Sequence, residues 1–215
     1  MTEYTGDVTR GGRPDVRELG GLTITKVSVG PMDNNAYLLR SGGEQLLIDA
    51  ADDAGTLIGL AGDAGLSTVV TTHRHGDHWQ ALEEVVLSTG AESLAHIDDA
   101  AEIPIVNRDL RDGEHITVGD ASLEVIHLVG HTPGSIALLY QDPAGTAHLW
   151  TGDSLFPGGH GRTTSAGDHN QLMDDLEAKV FSRLGDDTWF YPGHGKDSTL
   201  GAERPHLAEW RARGW

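Results

Sequence analysis

The amino-acid sequence predicts a mixed α/β fold, and three observations carry that prediction. Short β-branched or alternating runs recur along the chain, and the first three, within residues 22–48, suggest an antiparallel meander. Helical stretches lie between later runs, the clearest being Trp79 to Leu87 (WQALEEVVL), with Leu82, Val85 and Val86 on one face. Histidines and aspartates fall directly after strand ends, on the turns where α/β folds place ligands.

Residues 1–20 read as a poorly ordered leader or a strand cap, and residues 21–215 as one domain. Leu22 to Val29 alternates as a strand. Asn35 to Arg40 follows the turn Gly30-Pro31-Met32-Asp33-Asn34, and Gln45 to Ile48 follows Ser41-Gly42-Gly43 and ends in Asp49. Asp53 to Ala64 reads as a short helix weakened by Gly55, Gly59 and Gly62. Ser67 to Thr71 is a buried strand bounded upstream by Gly65, and Glu92 to Ile97 is another, followed by a short helix near Asp98–Glu102. His115 to Val118 and Ser122 to Leu128 flank the turn Gly119-Asp120. Ser135 to Tyr140 and Ala147 to Thr151 flank the turn from Asp142 to Gly145. A glycine-rich loop covers Pro157 to Gly167. Gln171 to Leu184 is a helix, with Leu172, Leu176, Val180 and Leu184 at near-helical spacing. Thr188 to Tyr191 is the last strand and Pro205 to Arg213 the last helix.

At 215 residues the chain suits a single core of ordinary size. No apolar run approaches the ~20 residues that span a bilayer, and the polar N-terminus has no hydrophobic core of a signal peptide, so cytoplasmic residence is expected. A net charge of −18 repels phosphate backbones and anionic membranes. The expected partner is a small-molecule substrate, with no nucleic acid and no membrane, and the chain is expected to be a monomer or homodimer.

The stretch Thr71-Thr72-His73-Arg74-His75-Gly76-Asp77-His78 organises the rest. Three histidines and an aspartate lie within six residues, on the turn after one strand and before a helix. One such histidine alone is an ordinary loop residue. Four crowded ionisable groups are unfavourable unless a cation compensates them, so the stretch is read as a metal site. With no cysteine in the chain, any metal is held by His, Asp or Glu. Three later loops each carry one more candidate straight after a strand: His131 in GHTPGS, Asp153 in TGDSLF and His194 in YPGHGK. Flanking Gly and Pro permit the sharp turns that converging loops require.

The ordered set His73-x-His75-x-Asp77-His78, His131, Asp153 and His194 resembles the metallo-β-lactamase-fold superfamily of metallohydrolases, over about residues 20–200. The resemblance implies a four-layer αββα sandwich (metallo-β-lactamase fold) with two divalent metal ions at one edge of the paired sheets. It implies that His73, His75 and His131 hold the first ion, that Asp77, His78 and His194 hold the second, and that Asp153 bridges both. Within the superfamily the glyoxalase II group is most similar, through Asp33-Asn34-Asn35-Ala36-Tyr37-Leu38-Leu39, His131-Thr132-Pro133-Gly134, Gly152-Asp153-Ser154-Leu155-Phe156 and Gly158-Gly159-His160-Gly161-Arg162. True β-lactamases of the fold generally lack the bridging aspartate or place a cysteine among the ligands. Three departures bear on glutathione specificity rather than on thioester chemistry. The stretch after His194 suffices for about one helix, where glyoxalase II enzymes carry a helical domain. Trp79-Gln80 replaces the usual small residues, and His160 stands where cysteine is frequent.

The resemblance thus implies a metal-dependent hydrolase, with zinc expected and iron or manganese as alternatives, cleaving a small thioester or ester through a metal-bridging hydroxide. Asp77 is the catalytic candidate, orienting the hydroxide and taking up its proton. Two other readings stay open: a mononuclear iron oxidoreductase like the persulfide dioxygenases, with His73, His131 and Asp153 as ligands, and a lactonase or lactamase. Asp49 reads either as the partner of a ligating imidazole or as a helix-cap or loop carboxylate. His160, Arg162 and His169 fall in the loop that should overhang the site. Arg162 reads as a contact for an anionic substrate or as a pin on backbone carbonyls. Tyr37 and Tyr191 are read as packing residues, and His96, His115, His127, His148 and His206 as structural, without partner ligands.

Overall fold

The computed structural model describes residues 4–214. One sheet runs β1 (Asp15–Glu18), β2 (Thr23–Val29), β3 (Asn34–Ser41), β4 (Glu44–Ile48), β5 (Thr68–Thr71), β6 (Glu92–His96) and β7 (Arg108–Leu110), in that order. Neighbours from β1 to β4 are antiparallel, as the short turns at Gly30–Asp33 and Gly42–Gly43 require. From β4 to β7 pairing is parallel. There the chain returns through α1 (Ala54–Ala61), α2 (Leu82–Thr89) and α3 (Ile97–Ala100).

The second sheet contains β8 (His115–Val118), β9 (Ala121–His127), β10 (Ile136–Gln141), β11 (Ala147–Gly152), β14 (Trp189–Pro192) and β15 (Ser198–Thr199). A separate hairpin of β12 (Leu155–Phe156) and β13 (Gly159–His160) follows β11. Helix α4 (Ala166–Asp175) continues as a wider π-type turn over Leu176–Phe181. Helices α5 (Leu200–Glu203) and α6 (Leu207–Arg213) close the described chain.

Three apolar clusters define four layers. Ile24, Leu39, Ile48, Val70 and Leu94 of the first sheet meet Val125, Leu138, Trp150 and Tyr191 of the second. The outer face of the first sheet (Val27, Leu38, Leu47, Val69) packs on Leu57, Leu82 and Val85 of its helices. The outer face of the second (Ile126, Leu139, Leu149, Phe190) packs on Leu172, Leu176, Val180 and Trp210. Alternation makes this possible, since successive strand residues point to opposite faces and both faces here are apolar. The αββα sandwich expected from the sequence is the observed architecture.

Several elements differ from expectation. Part of the leader is strand: Asp15–Glu18 pairs antiparallel with β2, although its half-exposed, charged DVRE text shows no apolar face. Residues 1–3 of the expected leader lie outside the described residues. Strand β7 is short, with Leu110 its one buried residue, and leaves no readable period. Helix α2 begins at Leu82 rather than Trp79, because Trp79 sits at φ −144° and its indole N–H donates to the Arg74 carbonyl, 2.8 Å away. The Pro157–Gly167 loop contains the turn and second strand of the β12–β13 hairpin and the start of α4, which Ser165 caps by accepting the Asp168 N–H. Leu172, Leu176, Val180 and Leu184 are all buried as their spacing predicted. Among the described residues no helix is long and apolar enough to cross a membrane.

Candidate metal centre

The ends of β5, β9, β11 and β14 converge on one edge of the sandwich. After β5 come His73, His75, Asp77 and His78, and the other three deliver His131, Asp153 and His194. Ligand atoms of His73, His75 and His131 lie within 4.8 Å of one another, as do those of Asp77, His78 and His194. His73, His78 and Asp153 form a third such set between them. All seven sequence candidates are thereby brought together.

Hydrogen-bond partners fix which ring nitrogen faces inward. The Thr72 hydroxyl gives its proton to Asp49 Oδ2 at 2.8 Å, so it accepts from His73 Nδ1 at 3.0 Å. His78 Nδ1 donates to Asp49 Oδ2 (2.8 Å), His131 Nδ1 to the Arg162 carbonyl (2.7 Å) and His194 Nδ1 to the Met32 carbonyl (2.9 Å). Each of the four rings therefore turns its Nε2 into the site. The Nε2 atoms of His78 and His194 lie 3.2 Å apart, and His75 Nδ1 lies 2.9 Å from His131 Nε2. Ring nitrogens that close repel one another unless a proton or a metal ion lies between them. His73 Nε2 is buried and has no hydrogen-bond partner among the described residues. Imidazole and carboxylate donors in this arrangement fit a divalent transition metal.

The electrostatics agree. Burial works against the charge of Asp153, yet the imidazoles of His194 and His78, each 3.4 Å away, outweigh it and hold the carboxyl well below the usual range. Burial likewise opposes charge on His78, but Asp49 and Asp153 raise its pKa to about 10. Burial keeps His73 and His131 neutral, pushing both below the ordinary imidazole value. Asp153 faces both ends of the centre, at 3.4 Å from His78 Nε2, 3.4 Å from His194 Nε2 and 3.7 Å from His131 Nε2.

Asp49 is the partner of a site imidazole and not a helix cap. The cap of α1 is Asp53, whose side chain accepts the Thr56 N–H. Sequence reasoning missed Asn34, which donates Nδ2–H to Asp77 Oδ2 at 2.9 Å, and Asp99. Buried Asp99 accepts from Arg74 N, Thr132 Oγ1 and Gly134 N, tying the His75 loop to the His131 loop. Gly193 and Gly161 allow close approach, since a Cβ on either would collide with Asp153. The Arg162 side chain is exposed and pins no carbonyl among the described residues; its own carbonyl does the holding. Tyr37 and Tyr191 are buried packing residues, as expected.

The five remaining histidines need one correction. Among the described residues the side chains of His115, His148 and His206 pair with Ser122, Tyr191 and Glu209 alone. His96 and His127 are not isolated: with Asp98 they bring potential ligand atoms within 4.8 Å. Their rings stack at 3.8 Å and 26°, so the in-plane lone pairs run side by side instead of meeting at one point.

A groove of about 210 Å³ adjoins the centre, lined by Arg74, His75, Val129, Gly130, His131, Thr132, Pro133, Thr164 and Asp168.

Comparison with known proteins gives consistent matches. The family model of the metallo-beta-lactamase superfamily matches residues 29–194. A hydroxyacylglutathione hydrolase of Fuscovulum blasticum is 38% identical over 133 residues, covering 60% of this chain and 51% of that protein. The chain spans about half the length of that curated relative. Among solved structures, TTHA1623 in a di-iron-bound form is 32% identical with a TM-score of 0.71, covering 83% of this chain and 96% of that one. The BLEG-1 B3 metallo-beta-lactamase is 28% identical with a TM-score of 0.74, covering 87% and 99%.

Proposed function

This chain belongs to the metallo-beta-lactamase superfamily, and from that premise we propose that it is a hydrolase of small thioesters or esters that works with two divalent metal ions. The observation that carries the reading is the pairing of inward nitrogens on either side of Asp153: His75 with His131 at 2.9 Å, and His78 with His194 at 3.2 Å. In this reading His73, His75 and His131 hold one ion, Asp77, His78 and His194 the other, and Asp153 serves both. Zinc suits these donors. A relative solved in a di-iron-bound form makes iron the concrete alternative.

When bound, two divalent ions supply a nucleophilic water at neutral pH and an electrophilic contact for the substrate carbonyl. The chain's own residues do the rest. Asp77, half-buried and held at Oδ2 by Asn34, takes up the water's proton there and passes it to the leaving group. The groove beside His75 and His131 receives the substrate. Arg74 is occupied by Glu102, whereas the exposed Arg162 side chain has no hydrogen bond or ion pair among the described residues. We assign Arg162 the contact with an anionic end of the substrate. The name shared by the curated relatives places S-acyl thioesters first among substrates to try.

The test is elemental analysis of protein purified without chelators, followed by a panel of thioesters, lactones and β-lactams. Two metal equivalents and thioester turnover are expected. One equivalent of iron with oxygen uptake on a persulfide would overturn the hydrolase. Turnover of β-lactams alone would move the chain to the activity named for BLEG-1.

A further inference from the structure

We propose that His160 is a positioning residue for His131, acting through the Gly161–Arg162 backbone and braced from behind by His169. The proposal rests on the reading of His131 as a metal ligand. His160 ends the β12–β13 hairpin, with Nδ1 2.7 Å from the Gly161 carbonyl. A carbonyl only accepts, so Nδ1 carries the hydrogen and fixes the orientation of that peptide. The next carbonyl along, that of Arg162, takes the Nδ1–H of His131 at 2.7 Å. The orientation of His131 therefore depends on a backbone segment one peptide away from the His160 ring.

The segment is supported from the opposite side. His169 of α4 is buried, its ring 4.7 Å from that of His160 and tilted by 56°. Its Nε2 donates to the Arg211 carbonyl in α6, at 3.4 Å. Buried Glu203, from α5, accepts the Gly158 N–H of the same hairpin at 2.8 Å. The C-terminal helices thus hold the hairpin, and the hairpin holds the carbonyl that aims His131.

Simple space-filling does not account for these two rings. With the tautomers set by their carbonyl partners, His160 Nε2 and His169 Nδ1 are bare acceptors. Both are buried and neither has a donor among the described residues. An apolar side chain of similar size would fill the space without that penalty. What the imidazole at position 160 provides, and an apolar group does not, is the Nδ1–H.

The experiment compares cobalt(II) binding by the wild-type chain, His160→Ala, His160→Leu, His160→Asn and His131→Ala. Affinity is read by chelator competition, and site geometry by the visible d–d absorption of bound cobalt. Asn places an amide N–H where Nδ1–H stood, so His160→Asn is expected to retain wild-type affinity and spectrum. His160→Ala and His160→Leu are expected to weaken binding about tenfold or more and to alter the absorption bands. Should His160→Ala fail to fold, Leu against Asn still decides. Recovery by Leu and not by Asn would overturn the proposal in favour of packing. Unchanged cobalt binding in every His160 variant, with loss in His131→Ala, would overturn it and leave the metal centre standing. No change in His131→Ala would remove the centre itself.

Discussion

Asp49 accepts hydrogen bonds from Thr72 N (2.7 Å), Thr72 Oγ1 and His78 Nδ1 while only 2% exposed, and it holds φ at +57°, in a region that disfavours side chains other than Gly, Asn and Asp. Such strain persists when surrounding bonds over-determine it. Asp49→Asn keeps the volume but replaces a carboxylate oxygen with an amide donor, so a metal ion at His78 should bind about 10–100-fold more weakly. Chelator competition measures this, and equal affinity would show that the charge is immaterial. The convergence of the seven candidate ligands was legible in the sequence because four of them crowd into six positions and the others follow strand ends. Asn34 and Asp99 were not, since the groups they hold, Asp77 and Thr132, lie 43 and 33 residues away along the chain. An asparagine at the first position of a strand and an aspartate in a four-residue helix carry no local sign of such partners.

Among the elements, the alternating strand β2 was readable and its lysine was not. Lys26 shares the inward face of Ile24 and is fully buried, donating to Asp197 Oδ1 (2.6 Å) and to the carbonyls of Gly6 (2.8 Å) and Gly195 (2.7 Å). Asp197 also accepts from the Tyr4 hydroxyl at 2.6 Å. A lysine in an alternating strand reads as solvent-facing; here the segment before β1 and the loop after β14 cover it. Lys26→Ala should destabilise the fold by about 3–5 kcal/mol, because it leaves Asp197 buried without its countercharge. The double variant Lys26→Met, Asp197→Asn should recover most of that loss. Urea unfolding of the three proteins decides whether the two residues act as one unit. Boundaries were the other weak point. Indole capture by the Arg74 carbonyl delays α2, and the Ser165 cap starts α4 inside what reads as loop, both effects of contacts that periodicity does not report.

For the whole molecule, acid should be more damaging than composition suggests. His148 lies buried between the sheets, with Nδ1 2.9 Å from the Tyr191 hydroxyl. Burial, assisted by the charge of Arg17, pushes its pKa down to about 4. The folded state therefore resists a proton that the unfolded state accepts near pH 6.5. Stability from this group is fully present above about 6.5 and declines as pH falls towards about 4, by up to about 3 kcal/mol. Unfolding free energies measured across that interval should rise with pH, and His148→Gln should flatten the slope.

The two sheets each supply part of the centre: His73, His75, Asp77 and His78 come from one, His131, Asp153 and His194 from the other. Metal ions seated there would act as a clasp across the seam, so loading and cohesion become a single property of the chain. At a thousandfold excess over Kd, one bound ion adds about 4 kcal/mol to the folded state. Chelation should then lower Tm by on the order of 10 °C. A chelated sample should also be cut faster by proteases between β7 and β8, where one half of the clasp ends and the other begins. Starved of metal, the protein would be marked for removal by its own loosened seam.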